Sequence, residues 1–244
     1  MGLGGTTPHG AAGGRRHPPY YRITSVLAAQ LDSVRERIDR AARRSGRTSK
    51  DVTLVAVSKV HPASAIREAY VLGVRHFGES YVQEFERKAP ELRDLAGAWF
   101  HLVGRLQSNK ARRAVQLFQV IQSVDSEKLA RRINDIGEVR EVMIEVKLSR
   151  EEAKGGVEPA LLPALVETVR ACPNLRLTGL MTLPPWSEEP EDSRPYFREL
   201  RRLAEIHKIP CLSMGMSNDF EVAIEEGATH VRIGSALFGP RIQV

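Results

Sequence analysis

Residues 53–69 read TLVAVSKVHPASAIREA: an apolar run rich in β-branched residues stops at Lys59, and a helical pattern begins at Pro62. Strand alternation puts Thr53, Val55, Val57 and Lys59 on one face. The unit is strand, turn, helix, and its repetition along the chain decides the fold class.

Similar apolar runs occupy residues 75–80, 99–104, 120–125, 141–148, 175–183, 209–217 and 230–235, which together with 52–58 predict eight strands. Helical patterns fall between them, as in 62–73, 126–137, 159–171 and 194–207. Such repetition argues parallel strands joined by right-handed crossovers. The expected architecture is α/β, a single (β/α)8 TIM-type barrel, with a doubly wound open sheet as the alternative. An extra N-terminal helix is predicted over 23–44, where Leu27, Leu31, Val34, Ile38 and Ala41 recur at three-to-four spacing. Its arginine-rich face, interrupted by Asp32, Glu36 and Asp39, reads as solvated. Residues 1–22 are Gly-rich, without an apolar stretch, and read as a disordered tail; 23–244 then form one barrel domain.

Composition narrows the partners only a little. A net charge of +6 keeps anionic ligands open. Arg105–Arg113 is basic but lacks interleaved aromatics, which argues against nucleic acid. No run approaches the length of a membrane span. Cys172 and Cys211 supply neither a disulfide framework nor metal-ligand spacing, as expected of core residues in a cytoplasmic protein.

In a barrel, chemistry gathers where strands end at their C-terminal side. Lys59 has that address, over an apolar floor that favours the neutral amine able to attack a carbonyl. It is a Schiff-base candidate, against the plainer reading of a surface lysine closing a strand. After the seventh strand, Ser213, Gly215 and Ser217 surround a turn, and Asn218 or Asp219 can cap the following helix. Gly234 and Ser235 follow the eighth strand, and loops in these two places frequently build a phosphate site. Arg232 lies two residues before Gly234, so it can aim inward beside the cradle or form a salt bridge across the barrel mouth. An inward lysine opposite a phosphate cradle suits a phosphorylated aldehyde, and pyridoxal 5'-phosphate is one.

Five ordered blocks carry a more specific likeness: LVAVSK (54–59), FGESYVQE (77–84), FHLVGRLQSNK (100–110), GLMTLP (179–184) and LSMGMSNDFEVAIEEGATHVRIGSALFG (212–239). They resemble the YggS/PROSC family of pyridoxal-phosphate homeostasis proteins. The resemblance implies a barrel like the N-terminal domain of alanine racemase, with pyridoxal phosphate held as a Schiff base at Lys59. It places Arg232 against the pyridine nitrogen and Ser213, Ser217, Ile233 and Gly234 around the phosphate. Ser80 stands where the family has an asparagine near the ring, and Met181 joins the cofactor's surroundings at the barrel mouth with Met214 and Met216. Lys154, in a loop that also matches the family, is a candidate second amine for transient cofactor binding. The implied role is a monomeric cytoplasmic carrier or regulator of the cofactor, serving recipient apo-enzymes without established catalysis. A racemase-like enzyme and a cofactor-free Schiff-base aldolase are the alternatives.

Overall fold

The computed structural model describes residues 1–2, 25–149, 151 and 155–239. The expected tail and Lys154 therefore lie outside the described residues. Eight parallel strands close into a barrel in sequence order, β1 pairing with both β2 and β8. They are β1 Thr53–Val57, β2 His76–Glu79, β3 Trp99–Leu102, β4 Val120–Val124, β5 Arg140–Glu145, β6 Leu175–Met181, β7 Cys211–Ser213 and β8 His230–Ile233. Each falls inside a run predicted from β-branched content, except that β5 begins one residue earlier. The closing pair β1–β8 excludes the open sheet.

The helices are α1 Ser25–Arg44, α2 Ala63–Val71, α3 Val82–Lys88, α4 Ala111–Leu117, α5 Glu127–Asn134, α6 Leu162–Ala171, α7 Arg194–His207, α8 Phe220–Glu225 and α9 Ser235–Phe238. Alternation sorts each strand into two layers. In β1, Ala56 packs outward in the apolar layer beneath the helices, whereas Val55 is buried and pairs in register with Arg232 of β8. The outer layer supplies most of the apolar burial, each large side chain contributing roughly 1.5–3 kcal/mol.

The arginine face of α1 departs from expectation. Arg37 pairs with Glu221 at 3.0 Å and lies over the Phe220 ring at 4.4 Å, and Arg44 pairs with Glu225 at 2.6 Å. Just beyond α1, Arg47 donates to the carbonyls of Ile224 and Ala228. These cations dock α1 on α8, because a guanidinium fork satisfies helix-end carbonyls and carboxylates together. Only part of that face is solvated. Cys172 is buried and Cys211 partly so, and both are free thiols. Among the described residues no helix is long and apolar enough to cross a membrane.

Candidate functional site

A cavity of about 640 Å³ opens at the C-terminal end of the barrel. It brings together Lys59, Ser80, Ser217, Arg232 and Gly234 from four separate stretches of chain. Lys59 is half-buried, two residues past the end of β1, in a turn instead of in the strand. The strand pattern nevertheless continues, since the Ser58 N–H donates to the Gly78 carbonyl at 2.9 Å.

Across the cavity the loops after β7 and β8 meet. Ser217 Oγ accepts from the N–H groups of Gly234 and Ala236, both at 3.3 Å. Two backbone donors thus converge on one weakly bound hydroxyl oxygen, a position that an anionic oxygen fills better. A Cβ on Gly234 would lie 3.3 Å from the Val57 carbonyl oxygen, so the bare backbone is what lets this loop approach β1. Gly215 has φ +88°, and a side chain there would meet Phe220 Cα at 2.9 Å. Asp219 stands at the start of α8, but its Oδ1 accepts from the Met216 N–H at 2.7 Å and its Oδ2 from the Ser193 hydroxyl at 2.8 Å. The Asp219 carboxylate thus turns back to the preceding loop and, contrary to expectation, makes no capping bond to α8, while the stretch after β8 supplies two backbone donors to the cavity. Asn218 turns outward, its Nδ2 donating to the Ser187 carbonyl at 2.9 Å.

Arg232 rises from the barrel interior into the cavity wall, only 4 % exposed. Its Nη1 donates to Ser213 Oγ at 2.7 Å and its Nη2 to the Thr182 carbonyl at 2.8 Å. A guanidinium cannot accept, so the Ser213 hydroxyl hydrogen points onward to Gln122 Oε1 at 2.6 Å. That fixes the amide: Gln122 Nε2 donates to His101 Nδ1 at 2.9 Å. His101 then carries its hydrogen on Nε2 and donates to His76 Nδ1 at 3.0 Å. One polarised chain therefore runs from the cavity to the second strand, and the inward Arg232 side chain is held by neutral partners.

Burial sets the charges along this chain. It lowers Arg232 to about 10, with Asp219 and Glu145 opposing, so the guanidinium stays cationic at neutral pH. Burial, with the neighbouring His76 and His230, holds His101 well below the usual imidazole range. His230 falls to about 4, through burial first and then through His76 and Arg232. Glu145 moves the other way, pushed up to about 7 by burial against the pull of Arg232. These imidazoles are neutral at pH 7, as a core histidine should be.

The remaining sequence candidates lie off the cavity wall. Ser213 is fully buried behind Arg232, Met181 pairs with it across β6 and β7 deep in the barrel, and Ile233 faces the outer apolar layer. Met214 also joins that outer layer, whereas Met216 reaches the cavity. Sequence reasoning missed Tyr81, Arg105 and Trp186 on the wall, and Gln122 beneath it. Tyr81 and Trp186 are 59 % and 74 % exposed, which leaves the cavity mouth open to solvent. Among the described residues no cluster is suited to a metal ion. The donor set instead fits a phosphorylated aldehyde: an amine, paired N–H groups and a buried cation on one cavity.

Residues 29–241 match the family model described as the alanine racemase N-terminal domain. The chain is 48 % identical over 224 residues to the "Pyridoxal phosphate homeostasis protein" of Aquifex aeolicus, covering 87 % of this chain and 97 % of that one. It is 45 % identical to the protein of the same name from Pseudomonas aeruginosa, over 89 % and 96 %. Among solved structures it is similar to PipY of Synechococcus elongatus PCC7942 with PLP bound, at TM-score 0.78 and 39 % identity, over 87 % of this chain and 100 % of that one. Alanine racemase from Corynebacterium glutamicum, at 21 % identity and TM-score 0.63 over 86 % and 61 %, shares the fold.

Proposed function

The chain belongs to the family of pyridoxal phosphate homeostasis proteins, built on the alanine racemase N-terminal domain, and on that premise we propose that it holds pyridoxal 5'-phosphate covalently at Lys59 and acts as a carrier of it. The observation that carries this reading is the juxtaposition of Lys59, Arg232 and the Gly234 loop on one cavity. Bound there, the cofactor supplies an electrophilic aldehyde and a conjugated ring able to take up electron density. Lys59 supplies the amine for the aldehyde. Gly234 and Ala236 N–H groups, with the Ser217 hydroxyl, receive the phosphate. Arg232 would lie against the ring nitrogen, and its cation, with no lone pair and no proton to yield at neutral pH, would disfavour a protonated ring and limit carbanion chemistry.

The open mouth, flanked by Tyr81 and Trp186, suits exchange of cofactor with solvent or with a recipient apo-enzyme. The protein does this as a monomer in the cytoplasm. Loading the purified chain, reducing it with borohydride and mapping the mass increment tests the attachment. Incubation with a pyridoxal-phosphate-requiring apo-enzyme, beside a free-cofactor scavenger, tests the carrier role. A single label on Lys59 and scavenger-resistant activation are expected; an unlabelled Lys59 would refute the reading.

A further inference from the structure

Both neighbours of Lys59 are tied to one buried ammonium. Lys88, at the end of α3, is 8 % exposed. Its Nζ donates to the Ser58 carbonyl at 3.0 Å and to Glu79 Oε1 at 2.9 Å, and lies 2.6 Å from Glu84 Oε1. Glu84 Oε1 in turn accepts the Val60 N–H at 2.6 Å, and the Ser58 hydroxyl donates to Glu79 Oε1 at 2.8 Å. The three hydrogens of the ammonium thus match three acceptors.

The turn needs this support. Val60 has φ +63°, the left-handed region that a β-branched residue avoids, and the residue is 55 % exposed, so packing does little to hold it there. Lys208 is the other non-glycine residue with positive φ among the described residues, but it closes α7, where a left-handed residue is an ordinary helix ending. Val60 closes no helix. Stability alone does not account for the cluster either, because buried ions are often matched by apolar side chains of similar volume. Glu79 Oε2 is buried with no hydrogen-bond partner among the described residues, a further cost of the arrangement.

We propose that Lys88, Glu79 and Glu84 form a positioning device that holds residues 58–60 in a strained left-handed turn and so fixes where the Lys59 amine enters the cavity. The proposal rests on Lys59 being the attachment point for the cofactor. Its test is the rate of borohydride-trapped pyridoxal phosphate labelling at Lys59, read together with melting of the cofactor-free protein and amide exchange at residue 60. Glu84→Ala removes the acceptor of the Val60 N–H and is expected to slow labelling by about tenfold or more, with faster exchange at residue 60. Glu84→Gln keeps an oxygen in place and should label close to the wild-type rate. Glu84→Ala combined with Val60→Gly should recover most of the rate, because glycine adopts this conformation without the tether. A merely structural role lowers melting in Glu84→Ala without rescue by Val60→Gly. Wild-type labelling in Glu84→Ala, or a slow rate that Val60→Gly leaves unchanged, overturns the proposal. Absence of label on wild-type Lys59 overturns the attachment reading, and this proposal with it, and is distinguished by the wild-type control.

Discussion

The two ends of the cavity are built in opposite ways. The anion end is built mainly from backbone: Ser217 follows β7, Gly234 follows β8 and Ala236 stands in the first turn of α9, the two donors being main-chain N–H groups. The lysine end, where covalent attachment is proposed, is held by side chains: the turn around Lys59 is tied by Glu79, Glu84 and Lys88 from another strand and helix. An anion can be held by backbone N–H groups that any sequence possesses, provided the loop is small and tight. An amine that must meet an aldehyde needs a side chain in one place, and side chains are held by other side chains.

The sharpest way to separate the ends is Lys59→Ala. Covalent attachment is expected to vanish, with the label absent on mass analysis, while the anion end still binds the cofactor reversibly. A half-buried residue in a turn contributes little to the core, so melting should change by less than about 1 kcal/mol. Unfolding of this variant would show the lysine end to be part of the scaffold.

Gln122→Leu attacks the chain beneath both ends. It strands the Ser213 hydroxyl and His101 Nδ1 in the interior, at a cost of about 1–3 kcal/mol for each unsatisfied group. Arg232 keeps its bond to the Thr182 carbonyl but its serine partner is no longer oriented. Denaturant unfolding should lose several kcal/mol, and the absorbance of the bound cofactor should shift. An unchanged spectrum would place Arg232 away from the ring.

Gly234→Ala acts on the anion end, at its contact with β1. Its Cβ would sit 3.3 Å from the Val57 oxygen and 3.6 Å from Val57 Cβ, forcing the loop off β1 by a few tenths of an ångström. Competition by inorganic phosphate should weaken about tenfold, equivalent to about 1.4 kcal/mol. The rate of attachment at saturating cofactor should hold. Equal loss of both would mean that the two ends are mechanically one.

How much of this could be read from the chain follows the same division. The strands and the exact span of α7 were legible because β-branched runs and three-to-four spacing are local signals. Lys59, Ser217, Arg232 and Gly234 were legible because they follow or end strands, and strand ends have an address in a barrel. Gln122 was not: it stands in VIQSV, every residue of which is buried, and nothing local distinguishes a polar residue that joins an interior chain from a lapse in an apolar strand. Lys88 looks like a charge at the end of a short helix, and only the closed barrel brings it to Ser58. Ile233 has its side chain in the outer apolar layer, as alternation with the inward Arg232 requires.

The interior chain also gives the smallest effect at neutral pH and a distinctive one in acid. His76, His101 and His230 all have imidazoles held below their ordinary range by burial, His230 at about 4. Unfolding restores them to about 6.5. Between those values the unfolded chain binds a proton that the folded one refuses, so stability rises with pH there and is lost as pH falls from about 6.5 toward 4. His230 contributes a slope of about 1.4 kcal/mol per pH unit, roughly 3 kcal/mol by pH 4, and His76 and His101 act in the same direction. Glu145, raised to about 7, opposes them: the folded state holds its proton between about 4.5 and 7, where stability falls as pH rises. Burial raises Glu79 in the same direction as Glu145, opposite in effect to the three imidazoles. His230→Gln should therefore change melting little at pH 7.5 yet flatten the acid limb by about 1.4 kcal/mol per pH unit. An unflattened limb would mean that His230 accepts a proton in place, and that the polar floor joining the two ends is wetter than its burial implies.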